Sequence, residues 1–199
     1  MLKLIGKATS INVRKVLWTC AELDLPFERE EWSDAHAPLN PNRLVPVLVD
    51  GDLVLWESNT ICRYLCTRHG GTSLLPAQAP ARARVEQWMD WQATELNNAW
   101  RYAFMALVRA SPAHADAAQV AASIASWNRH MGILDARLAD TGAHVAGADF
   151  TLADIVLGLS ANRWRMTPMA RLDYPHVAAW FDRLGERAGF RLYGNNGTP

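Results

Sequence analysis

Asp50-Gly51 lies between two short apolar runs, Val47-Leu48-Val49 and Leu53-Val54-Leu55. An Asp-Gly pair in that setting demands a tight turn between antiparallel strands, so the chain cannot be all helical. Upstream, Leu2 to Ile5 reads as a strand, and Val13, Val16, Leu17, Cys20 and Leu23 recur at helical spacing. Pro26 closes that helical region, and residues 27–32 read as a second strand. A helix between two strands is a crossover connection, which sets them parallel. Residues 33–43 carry no clear period. After the hairpin, Ser58 is placed to cap a helix whose apolar face is Ile61, Cys62 and Leu65, with His69-Gly70-Gly71 as its stop. The order βαβ, hairpin, helix describes a small mixed sheet with helices packed on it, complete near residue 71.

The pattern then changes. Residues 72–80, with Pro76 and Pro80, read as a linker, and 81–199 as all helical. Val85, Trp88, Met89, Gln92, Leu96, Trp100, Ala103 and Leu107 mark one long helix that stops before Ser111-Pro112. Val120, Ile124, Trp127, Met131, Leu134 and Leu138 form a one-sided stripe. Thr151-Leu152-Ala153-Asp154 is a capping box with aspartate at its third helical position. Pro175 suits a first helical position, and Val177, Trp180, Phe181 and Leu184 give the last helix its buried face.

Lysine plus arginine and aspartate plus glutamate both total 20, so no net field draws a polyanion, and nucleic acid is not an expected partner. The N-terminal apolar run is broken by charge before it could form a signal-peptide core, and no later run is long enough for a membrane helix. Three cysteines, Cys20, Cys62 and Cys66, without a Cys-x-x-Cys pair, fit a reducing compartment, and the expected location is cytoplasmic. No His or acidic residue at ligand spacing completes a metal site around Cys62 and Cys66, so no metal is expected.

Three short segments carry chemistry. Ser10 and Asn12 stand where the first helix begins, and helix N-termini offer unpaired N–H groups and partial positive charge. A thiol there, hydrogen-bonded at its sulfur, is favoured as thiolate, which takes roughly 2.7 kcal/mol of preferential stabilisation of the anion. Plain helix capping by either residue is the alternative. Val45-Pro46 enters a strand, where proline removes a ladder donor. A cis bond would turn the Val45 backbone outward to pair with an extended peptide, and a trans proline opening an edge strand is equally compatible. Glu57-Ser58 precedes a helix, supplying an acceptor for an ammonium and donors for a carboxylate, or simply a cap.

Together the three describe a thiol activator, a peptide dock and an amino-acid clamp on one side of a sheet. The sequence resembles the soluble glutathione transferase superfamily over nearly its whole length. It looks like the bacterial branch carrying Ser-x-Asn-Val-x-Lys-Val, Asn-Pro-Asn-x-Val-Pro-Val and Leu-Trp-Glu-Ser-Asn-x-Ile, here residues 10–16, 40–47 and 55–61. Trp88-Met89-Asp90-Trp91 and Thr151-Leu152-Ala153-Asp154 match further on. The resemblance implies a thioredoxin-like glutathione-binding domain at 1–71, a linker at 72–80 and an all-helical domain at 81–199. It implies that Ser10 and Asn12 meet the glutathione sulfur, that Val45 beside Pro46 pairs with the cysteinyl residue, and that Glu57 and Ser58 hold the γ-glutamyl end. It also implies a homodimer, a role in detoxification, and a pocket for small hydrophobic electrophiles, for which Trp100, Phe104 and Trp164 are the candidates. Glutathione would be the co-substrate.

Attack by the same thiolate on a disulfide or peroxide is the alternative reaction, and a non-catalytic glutathione-binding protein is the alternative class. Two departures stand out. Residues 32–41 are fewer than the family usually has there, where a helix normally helps hold the glycine end. Arg43 replaces the usual glycine and could reach a glycyl carboxylate, or stand solvated.

Overall fold

The computed structural model describes residues 1–199. Strand β1 (Leu2–Ile5), helix α1 (Ile11–Glu22), β2 (Phe27–Glu30), β3 (Val47–Asp50), β4 (Leu53–Trp56) and α2 (Ser58–Arg68) form a four-stranded sheet with helices against it. The strand order is β2-β1-β3-β4. β1 and β2 are parallel, as the helical crossover requires, while β3 is antiparallel to both β1 and β4. Gly51 sits in the turn at φ +59, a conformation its missing Cβ permits. This is the thioredoxin-like half of the expected fold.

The rest is helical: α3 (Ala79–Trp91), α4 (Asn97–Leu107), α5 (Ala117–Thr141), α6 (Leu152–Met166) and α7 (Pro175–Gly185). Helix α6 is the axis of the molecule, buried at every position from Leu152 to Trp164 and packed against α1, α3 and α7. Its start is fixed by Asp154, a fully buried carboxylate that accepts from the Thr151 N–H (2.9 Å), the Val145 N–H (3.0 Å) and the Trp180 Nε1–H (2.9 Å). The capping box read from the sequence therefore also ties α6 to α7. One continuous apolar core runs from Leu4 and Leu48 in the sheet through Val16 and Ile61 to Leu157 and Trp180.

Five local readings are refined. β2 ends at Glu30, short of Trp32, because its only partner is β1, whose last residue Ile5 pairs with Glu30. Residues 33–43 contain a 3-10 turn, Asp34–Leu39, pinned by the Ser33 N–H to His36 Nδ1 at 3.0 Å. Ser58 is the first residue inside α2 and the cap position falls on Glu57. The long helix is interrupted by a π-helical turn, Gln92–Leu96, between α3 and α4, and α3 already begins at Ala79 within the expected linker.

Candidate functional site

The sheet register assembles the three segments. Ile5 pairs with Val47, and Val47 pairs with Trp56, so the exit of β1, the entry to β3 and the exit of β4 lie side by side at one end of the sheet. With strands about 4.8 Å apart, residues following Ile5, preceding Val47 and following Trp56 fall within about 10 Å of one another. Gly6 closes the gap further. A Cβ there would sit 2.5 Å from Val13 Cγ2 and 3.0 Å from Val45 Cβ, so the absent side chain lets α1 and the 45–46 segment approach.

Ser10 occupies the cap position of α1 in extended conformation, yet its hydroxyl makes no capping bond. The first intrahelical bond is Arg14 N–H to Ser10 C=O at 2.9 Å, leaving the amides of Ile11, Asn12 and Val13 without helical acceptors. Asn12 is half-buried one step around the helix. Val45-Pro46 is cis, Pro46 is buried, and Val45 takes no part in the backbone bonds of the sheet or its flanking turns. Asn40, buried and unassigned from the sequence, shapes this loop by donating to Leu44 C=O (2.8 Å) and accepting from the Asn42 N–H (3.0 Å). Glu57 is exposed at φ +72, a backbone state costing on the order of 1–3 kcal/mol, and Ser58 is buried beside it. Arg43 is exposed at φ +54, which explains why glycine suits this position.

Facing this end of the sheet is a cleft of ≈ 510 Å³ with Ser10 and Ile11 on one wall and Trp100, Phe104 and Met105 of α4 on the other. Trp100 and Phe104 meet edge to face, with ring centroids 5.4 Å apart. Trp164 is placed elsewhere: its indole N–H bonds Asn128 at 3.0 Å and its ring packs near Tyr174, on another side of α6. Successive helical residues point about 100° apart, so Arg163 takes the cleft position that the sequence reading gave to Trp164. The Arg163 guanidinium lies 4.6 Å from the Trp100 ring and 4.1 Å from the Phe104 ring. A larger depression of ≈ 640 Å³ lies between the 72–76 loop and the start of α6 and shares no residue with these segments.

A buried polar seam joins the two walls. Lys15 Nζ donates to Gln92 Oε1 (2.7 Å) and Asn59 Oδ1 (3.3 Å), and Gln92 Nε2 donates to Asn97 Oδ1 (2.9 Å) and Ser160 Oγ (3.1 Å). Asn97 Oδ1 also accepts from Trp100 Nε1 at 3.0 Å. Burial pulls the Lys15 pKa down to about 8, with Arg163 adding to the effect.

The comparisons with known proteins bear on both walls. Residues 4–73 match the model for the glutathione S-transferase N-terminal domain, and 117–183 that for its C-terminal domain. Glutathione S-transferase GstB of Escherichia coli K12 is 36% identical over 96% of both chains. Glutathione S-transferase 3 of Zea mays is 35% identical over 96% of this chain and 91% of its own. The chain belongs to the glutathione S-transferase family. A theta class glutathione S-transferase from Xanthomonas axonopodis pv. citri, solved with glutathione bound, superposes with a TM-score of 0.91 at 33% identity, covering 100% of this chain and 99% of that one. The two-part fold and the enzyme class that the sequence implied stand with that membership.

Within this glutathione S-transferase the three thiols are spectators. Cys20, Cys62 and Cys66 are free and buried, and burial pushes them up to about 12, 11 and 12. A thiol held that high offers no thiolate at neutral pH. Sequence reasoning missed Gly6, Asn40 and Arg163. Gly6 directly after a strand was a visible signal for close backbone approach. Arg163 inside an apolar helical run was another, since a charge amid buried neighbours needs a reason.

Proposed function

We propose that this chain binds glutathione at the sheet end, ionises its thiol at the start of α1, and transfers the sulfur to an electrophilic carbon bound against Trp100 and Phe104. The register that aligns Ile5, Val47 and Trp56 carries this reading, because it collects the three half-sites on one side of the cleft. The Val45 backbone pairs with the cysteinyl unit as an added strand would. Glu57 accepts from the γ-glutamyl ammonium, and Ser58 with the open α2 amides holds its carboxylate. Arg43, exposed on the same loop as Val45, is the group left to meet the glycyl end. The Ser10 hydroxyl, free of any capping bond, donates to sulfur, and Asn12 with the open amides of α1 supplements it.

In the reaction the thiol proton leaves to water, the S–C bond forms, and the leaving group departs with its electron pair. Residues 1–71 supply the glutathione half and 81–199 the electrophile half. The active form is read as a homodimer, supported by the outer strand β4, which exposes Leu53, Val54 and Trp56. Three free cysteines support a cytoplasmic location, and conjugation of electrophiles there would serve detoxification.

Ser10→Ala and Asn12→Ala, singly and combined, test the mechanism. The expected result is a fall in kcat/KM with an aryl halide on the order of 100-fold for the double variant, with loss of the ultraviolet absorbance of bound thiolate. Unchanged turnover and unchanged ionisation in the double variant overturn it.

A further inference from the structure

The cleft assigned to the second substrate joins an apolar, aromatic surface to a set of cations. Lys7, Arg101, Arg109 and Arg163 all line it, His114 stands at its edge, and no aspartate or glutamate does. None of the four cations takes part in an ion pair. In a chain whose opposite charges balance at 20 each, this local excess is not a by-product of composition.

Arg163 makes the point sharply. Only two arginines are almost wholly buried, Arg14 and Arg163, at 0% and 4% exposure. Arg14 donates to the carbonyls of Thr198 (2.8 Å) and Pro199 (2.9 Å) and to Asn196 Oδ1 (3.2 Å). Arg163 has no such acceptor: its Nε is sealed from water without a partner, as that of Arg14 is, but its terminal nitrogens donate to no protein group either. Its contact with the Trp100 and Phe104 rings attracts the charge but satisfies none of its five N–H donors. Burial, then repulsion from Arg14 and Arg109, disfavours its charged form. A guanidinium kept in this state is completed by a planar anion that takes two parallel N–H bonds along its edge.

From this juxtaposition we infer that the second substrate is an aromatic or conjugated electrophile bearing a carboxylate or similar anionic group, which Arg163 binds with Arg109 while the apolar body rests on Trp100 and Phe104. The inference rests on the proposed transfer reaction and narrows its substrate class. The anion belongs to the second substrate because both glutathione carboxylates are assigned to the sheet side, at α2 and the 40–45 loop.

The test uses a chloronitrobenzoate and its carboxamide, which differ in charge but share the reacting carbon. Each kcat/KM is divided by the uncatalysed rate with glutathione. The expected result is a preference of about tenfold or more for the carboxylate, cut by about tenfold in Arg163→Gln. A second measurement follows tryptophan fluorescence while titrating the two corresponding glutathione conjugates, so that binding is read without turnover. Should Arg163→Gln not fold, Arg109→Gln, at an exposed position, carries the same comparison with a smaller loss expected. Equal handling of carboxylate and carboxamide while either is conjugated overturns the inference and leaves the transfer reaction standing. Tighter binding of the carboxylate conjugate with no turnover of either electrophile supports the inference and sinks the transfer reaction. Binding of neither conjugate sinks both.

Discussion

The wall formed by residues 6–13, 45 and 57–58 offers a ligand mainly backbone: open amides at two helix starts, a free strand segment, and a hydroxyl. The facing wall from α4 and α6 offers only side chains, with Trp100 and Phe104 below and arginines around them. Backbone groups are positioned by register and cannot be altered one at a time, which suits recognition of an invariant peptide. Side chains can be exchanged singly without disturbing a helix, which suits recognition of a variable partner. The division between fixed and adjustable chemistry thus follows the division between sheet and helices.

Three experiments press on that contrast. The largest effect is expected from Gly6→Ala, which places a methyl group 2.5 Å from Val13 and 3.0 Å from Val45 at φ +150. It should cost about 3 kcal/mol in urea unfolding and raise the KM for glutathione, because α1 and the 45–46 segment must separate. If stability falls but the KM is unmoved, the backbone wall is less demanding than described.

Lys15→Met probes the seam between the walls. Burial lowers the folded pKa of Lys15 to about 8 from 10.5, so between those values the unfolded chain binds more protons and stability gains as pH rises. Below that window the penalty for a buried charge is fully present. The three buried thiols, all raised by burial, act in the opposite sense, so the difference between variant and wild type is the readout. From pH ~7.5 to ~9.5 that difference should shift by about 2 kcal/mol in favour of the wild type. A pH-independent difference in unfolding free energy contradicts the assignment.

The smallest effect is expected from Arg43→Gly. Relief of a left-handed arginine at φ +54 and the added flexibility of glycine in the unfolded chain nearly cancel, leaving stability within about 0.5 kcal/mol. A rise in the KM for glutathione without a stability change would assign Arg43 to the glycyl end, and an unchanged KM would remove it from the site.

The same contrast explains what the sequence reveals. The hairpin, the parallel crossover and the Thr151-Asp154 capping box are local, written in residues a few positions apart, and the structure has all three. The three segments at residues 10–12, 45–46 and 57–58 are equally local, and the register brings them together. The Val45-Pro46 isomer was open because both forms suit a strand entry. Ser58 and Glu57 were offset by one because a positive φ at glutamate is not foreseeable from propensity. The exchange of Trp164 for Arg163 has the same kind of cause: in a helix buried all round, periodicity does not say which face meets which neighbour.

The π-helical turn at Gln92–Leu96 has a geometric consequence for the second wall. Such a turn holds one surplus residue, and one residue is a rotation of about 100° about the helix axis. Every side chain beyond it is therefore swung by more than a quarter circle relative to an unbroken continuation of α3. Asn97, Trp100 and Phe104 owe their aim to that offset, so this wall of the cleft is set by a count of residues upstream as much as by their identity.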